Sequence, residues 1–197
     1  MEKFLSVDPS TNSFAFAQWH GKELVAYGKL AFVGKNPMEK ALDAAVKVRN
    51  LMDELEVDHV VIESPIFANS ASVAITLGVA QGVMIGAIRL SGVEQIYNVA
   101  PLTWQSYIGN RAFTKAEKLQ IRRDHPNRTV SWYKNFERNL RKQKTIDVVN
   151  KTYKLSIEDN DIADAIGIGI YAQSKLFLKP VEPKRKPIKR KPKTKNA

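Results

Sequence analysis

Asp8 closes the apolar run Phe4–Val7 and opens an Asp-Pro-Ser turn, and Glu63 closes the β-branched run His59–Ile62 ahead of Ser64-Pro65. Asp161 and Asp164 stand three residues apart at the head of a mostly apolar stretch, a spacing that puts both on one face of a helix. Solvation alone requires an acid at none of these places. Four carboxylates brought together without cations would repel one another and retain protons, whereas two Mg²⁺ ions would keep them ionised. Taken singly, each acid also has an ordinary role: Asp-Pro starts turns, Glu-Ser-Pro ends strands, and acids favour the first turn of a helix. His20, His59 and His125 have no partner at metal-ligand spacing, and the absence of cysteine excludes disulfides, thiol nucleophiles and thiolate zinc sites.

The elements that must position these acids follow from periodicity. Phe4–Val7, Phe14–Trp19 and Leu24–Phe32 read as strands of an antiparallel meander, with His20-Gly21-Lys22 as a turn. From Pro37 to Leu55 apolar residues recur every three or four positions, which predicts a crossover helix with Pro37 in its first turn. His59–Ile62 predicts a central parallel strand, Ser70–Leu90 a helix, and Gln95–Val99 another strand. Gly78, Gly82 and Gly86 suit a Ser70–Leu90 helix packed closely against another element, and its polar interruptions favour a buried soluble helix over a membrane dimer motif. Arg111–Arg141 has weak periodicity and reads as a basic insertion. Lys142–Tyr153 and Asp161–Phe177 predict two closing helices. The order is that of an α/β domain with a mixed sheet, in which sites form outside the carboxyl ends of the strands. Asp8 and Glu63 both take such positions.

At 197 residues the chain accommodates one domain, expected over 1–178, followed by a disordered basic tail over 179–197. No apolar run approaches the about 18 residues of a membrane span, and the N-terminus has no signal-peptide pattern, so a cytoplasmic protein without membrane insertion is expected. The net charge of +11 is unevenly placed. Lys and Arg against Asp and Glu number 8 to 11 over residues 1–110, 13 to 4 over 111–154, 1 to 4 over 155–178, and 9 to 1 over 179–197. Basic blocks draw a polyanion, while the acidic parts repel it unless cations intervene. The combination points towards metal-dependent chemistry on nucleic acid.

Three ordered segments carry a resemblance. VDPSTNSFAFA, with Asp8, looks like the first strand pair of RuvC-type Holliday junction resolvases. VVIESPIFANSASVAITLGVAQGVMIGAI is similar to their second motif of apolar strand, Glu, aromatic-containing loop and small-residue helix. DNDIADAIGIGIYA resembles their closing Asp-x-x-Asp-Ala motif, at Asp161, Asp164 and Ala165. The likeness spans residues 4–178 and is nearer to versions carried by phages than to the short bacterial form.

The resemblance implies an RNase H-like fold with a mixed five-stranded sheet flanked by helices. It also implies a homodimer in which each subunit hydrolyses one phosphodiester of a four-way DNA junction. Its metal ligands would be Asp8, Glu63, Asp161 and Asp164, holding two Mg²⁺ per subunit with Mn²⁺ able to substitute. A phage protein of this kind would work in the bacterial host cytoplasm. A catalytic lysine is expected at Lys142, with Lys118 the alternative position. DNA contacts are expected from Lys115, Lys118, Arg122, Arg123, Arg141, Lys142 and Lys144, with Phe67 as a wedge that unstacks bases. Trp104-Gln105-Ser106-Tyr107-Ile108-Gly109 departs from the family pattern, where a basic residue precedes the turn. Two other functions fit the sequence: an RNase H-like nuclease on hybrids, flaps or forks, and a noncatalytic protein that binds branched DNA.

Overall fold

The computed structural model describes residues 2–65 and 70–177. Five strands form one sheet: β1 (Lys3–Pro9), β2 (Ser13–His20), β3 (Glu23–Ala31), β4 (His59–Glu63) and β5 (Gln95–Val99), in the order β3-β2-β1-β4-β5. The first three pair antiparallel, while β1 with β4 and β4 with β5 run parallel. This is the mixed sheet expected from the sequence.

Strand alternation sorts the core into two layers. Leu5, Val7, Val60 and Ile62 face α1 (Pro37–Glu54) and α2 (Ala71–Leu90), packing with Val48, Met52, Met84 and Ile88. Phe4, Trp19 and Val61 face the other way, onto α3 (Pro101–Tyr107), α5 (Val130–Tyr153) and α6 (Asn160–Ala172). A period of two fixes what comes next on each strand. Asp8 shares the parity of Phe4 and Ser6, and Glu63 that of Val61, so both acids project on the α6 side.

The chain is locally explicit about several helix starts. Asn36 caps α1, its side chain accepting from the Glu39 amide, with Pro37 following. Thr114 and Glu117 form a reciprocal capping box at α4 (Lys115–Asp124), and Thr129 caps α5. Lys154 ends α5 in the left-handed region at φ 56°. A π-helical turn, Gln173–Phe177, ends the described chain.

Three expectations need correction. First, α5 runs unbroken for 24 residues from Val130, so the helix expected to begin at Lys142 starts three turns earlier. Its N-terminal half is largely exposed, which blurs the apolar period. Second, the α2 glycines are not packing notches: a Cβ on Gly78, Gly82 or Gly86 would meet no atom within 4 Å. Third, against the expectation that no apolar run approaches a membrane span, α2 is long and apolar enough to cross a membrane by length and composition. Here it forms a layer of the domain, burying Ala80, Gln81, Met84, Ala87 and Ile88. Its Gln81 amide donates to the Glu63 carbonyl at 2.9 Å.

Candidate active site

The register of β1 and β4 sets Val7 beside Ile62 at the last paired position. One step further along each strand places Asp8 and Glu63 side by side where the parallel strands end. There the two carboxyl groups are near enough for each to shift the other's proton affinity.

α6 brings the other two acids. Its path over the sheet is set by two close approaches that only glycine permits. A Cβ at Gly169 would lie 2.2 Å from the Trp19 indole nitrogen, and one at Gly167 would lie 2.7 Å from the Trp104 ring. Ser6 locks the same contact from below, donating from Oγ to the Ala165 carbonyl at 2.7 Å and accepting from Trp19 Nε1 at 2.8 Å. The first turn of α6 is thereby held over the ends of β1 and β4. Asp159 caps it by accepting from the amides of Asp161 and Ile162.

The acids are close enough to perturb one another. Asp8 is pushed up to about 8, first by burial and then by the charges of Glu63 and Asp161. Glu63 rises to about 7 through burial and the charge of Asp164, against an opposing hydrogen bond from Trp104. Asp164 rises to about 7 through burial and the charges of Asp8 and Asp161, against a Thr145 hydrogen bond and the Lys142 charge. Asp161 is held differently: its Oδ2 lies 2.6 Å from the ammonium of Lys29, which also reaches Asp159 at 3.0 Å.

Asp8, Glu63, Asp161 and Asp164 therefore gather at one end of the sheet, three of them with a tendency to keep protons. Among the described residues no three His, Cys, Asp or Glu side chains already form a metal cage. The donor set is all oxygen and carries more negative charge than the protein neutralises, which fits a hard divalent cation.

Lys142 lies beside Asp164, donating to Asn160 Oδ1 at 3.0 Å and lining a cleft with Asp164. Lys118 lies further off, paired with Glu137 at 2.7 Å. Arg122 covers the Tyr133 ring, and Lys115, Arg123 and Lys144 are exposed on α4 and α5. Arg141 is tied to the end of α3 through Gln105 and the Asn110 carbonyl. Phe67 and the tail 179–197 lie outside the described residues.

Sequence reasoning missed three members of the site. Trp104, read only as a departure from a pattern, is fully buried and donates from Nε1 to Glu63 Oε1 at 2.7 Å. Pro101 with apolar residues at 104 and 108 was the available signal for the short helix that carries it. Thr145 was legible only as a position on α5. Lys29 gave no signal, because its partners stand 130 residues further along the chain.

Comparison with known proteins bears on the fold. No curated protein matches the chain in sequence. Among solved structures, Thermus thermophilus RuvC in complex with a Holliday junction substrate superposes with a TM-score of 0.61 at 14% identity, covering 87% of this chain and 95% of that one. Another Thermus thermophilus RuvC structure gives 0.58 at the same identity and coverage. The fold is thus the RuvC, RNase H-like α/β fold. Residues 1–126 match the sequence profile of a phage family, which takes in Asp8 and Glu63 and ends before Asp161. Since that match spans well over half of its length, the chain belongs to the family described as Lactococcus phage M3 protein (DUF3882).

Proposed function

We propose that this protein is a divalent-metal-dependent endonuclease that resolves Holliday junctions and related branched DNA. The observation that carries the reading is the convergence of Asp8, Glu63, Asp161 and Asp164 at the ends of β1 and β4, on a fold shared with a protein solved on a junction.

Asp8, Glu63, Asp161 and Asp164 would together hold the divalent ions, Mg²⁺ by the hardness of their oxygen donors. When bound, such ions activate water for in-line attack on phosphorus and stabilise the leaving oxygen. Trp104 fixes the Glu63 carboxylate in orientation, and Lys29 holds Asp161 in place. Lys142 supplies positive charge beside Asp164, where the cleaved phosphate would lie. The nine Lys and Arg of residues 179–197 act as a nonspecific DNA tether.

The protein would work as a homodimer, because a four-way junction offers two equivalent strands to two equivalent sites. The surface supporting this is the outer face of α1 and α2, where Leu42, Val46, Ile75 and Leu90 are 60–76% exposed around open glycines. Small residues there let a second helix approach closely.

The deciding experiment incubates the protein and its Asp8→Asn variant with a labelled immobile four-way junction, a linear duplex and an RNA–DNA hybrid, in Mg²⁺ or EDTA. Paired, metal-dependent nicks in the junction, absent from the variant, are expected. Junction binding by both proteins without cutting in any metal would leave a binding protein; preferential cutting of the hybrid would reassign the substrate.

A further inference from the structure

The cleft that opens beside Asp164 belongs to α5 rather than to the carboxylate cluster. It encloses roughly 360 Å³, and its α5 wall is formed by Lys134, Glu137, Arg138, Arg141 and Lys142. Positions 134, 138, 141 and 142 recur at helical spacing, so four cations share one face of α5 and lead away from Asp164. Glu137 is their acidic neighbour there, and Lys118 neutralises it from α4 at 2.7 Å. Among the described residues none of the four cations has a carboxylate within ion-pair distance.

Arg141 shows what this wall lacks. Its guanidinium is fixed at the end of α3 by Gln105 and the Asn110 carbonyl, while Asn110 Nδ2 donates back to the Arg141 carbonyl at 2.8 Å and to Thr145 at 2.9 Å. Arg141 Nε is nonetheless buried without a partner among the described residues, as is Asn110 Oδ1. A buried donor left unmet is costly. A guanidinium held in place on the cleft wall, flanked by cations with no carboxylate partner, is suited to anionic oxygen acceptors.

We infer that this cleft is a binding track for the sugar–phosphate backbone of one DNA strand, holding the phosphates next to the scissile one through Lys134, Arg138 and Arg141. Four residues of helix advance about 6 Å, close to the axial rise of two nucleotides of one duplex strand at about 3.4 Å each. The row from Lys134 to Lys142 thus spans three to four phosphates of the strand that enters or leaves the carboxylates. The inference rests on the nuclease reading for the identity of the strand, but not for the presence of the track.

The test uses the full chain with Lys134→Gln and Arg138→Gln combined, both exposed positions outside the carboxylate site, and Arg138→Lys as a charge-preserving control. Binding to a four-way junction, a single DNA strand and a matching RNA strand is measured against salt. Losing two phosphate contacts should reduce the slope of log affinity against log salt by about 1.4 to 1.8. Arg138→Lys should keep the wild-type slope. Neutral methylphosphonates placed one to three positions from the cut should weaken binding of the wild type about tenfold and weaken the double variant, which keeps only Arg141 of the three, clearly less. An unchanged slope, equal methylphosphonate losses in both proteins, or an effect confined to RNA would overturn the track. A reduced slope with no junction cut in any metal would retain the track and discard the nuclease; normal cutting with an unchanged slope would do the reverse.

Discussion

The two faces of the sheet are built from the same five strands and do opposite work. The face under α1 and α2 is mostly aliphatic, with Phe14 and Phe32 among its buried residues, and its helices present exposed Leu42, Val46 and Leu90 to solvent. The face under α3, α5 and α6 is aromatic and carries Asp8, Glu63, Asp161 and Asp164 over Trp19 and Trp104. Alternation along β1 and β4 makes this division, so a single residue inserted in either strand would exchange the faces. One layer leaves apolar side chains exposed on its outer side, and the other uses close packing to hold like charges together.

That contrast can be broken most sharply at its acidic end. Asp8→Asn should lower junction cutting by on the order of 10³-fold or more, measured as single-turnover nicking in Mg²⁺. The same change should raise the thermal midpoint of the protein in EDTA, because it removes one of the mutually repelling acids. A lowered midpoint would mean that Asp8 is structural.

Glycines on the two faces should respond with opposite signs. Gly169→Ala drives a methyl into the buried Trp19 indole and should cost about 3 kcal/mol in denaturant unfolding. Gly82→Ala enters open space in the middle of α2 and should stabilise the folded chain by about 1 kcal/mol. Replacing Val46 and Leu90 together by Glu should leave the monomer folded and halve the molar mass found by light scattering. Unaltered mass would place any dimer contact elsewhere.

Trp104→Phe keeps the ring but removes the donor to Glu63, and should destabilise by about 1 kcal/mol while slowing cutting about tenfold. The smallest effect concerns pH. Asp8, Glu63 and Asp164 all have folded values raised above the ordinary carboxylate range, so the folded state binds the extra protons. Without metal, the stability they contribute is full below about pH 4 and is lost as pH rises through about 7 to 8. Mg²⁺ should restore the midpoint more at pH 8 than at pH 6; equal restoration would argue that the ions bind elsewhere.

Most of this division was legible in the chain. The strand runs ending at Asp8 and Glu63, and the three-residue spacing of Asp161 and Asp164, need only local periodicity. The α2 glycines were misread because spacing tells which residues share a helix face but not whether anything covers it. Trp104 was obscured by comparison with a pattern, although Pro101 announced a helix start. The Thr114-x-x-Glu117 capping box was readable and marks α4, whereas the exposed half of α5 carried too few buried positions to show its period. Lys29 belongs to a pairing that only the folded topology creates.

The bond from Lys29 to Asp161, like the meeting of Asp8 with Asp164, joins the first strands to the last regular helix. A ribosome adding ~5–20 residues per second needs roughly 8 to 30 s to travel from Asp8 to Asp164. Throughout that interval the sheet can pair while two of the four acids do not yet exist. Nascent and prematurely terminated chains therefore lack half of the carboxylate cluster, and any activity that needs all four acids could appear only once synthesis has passed α6.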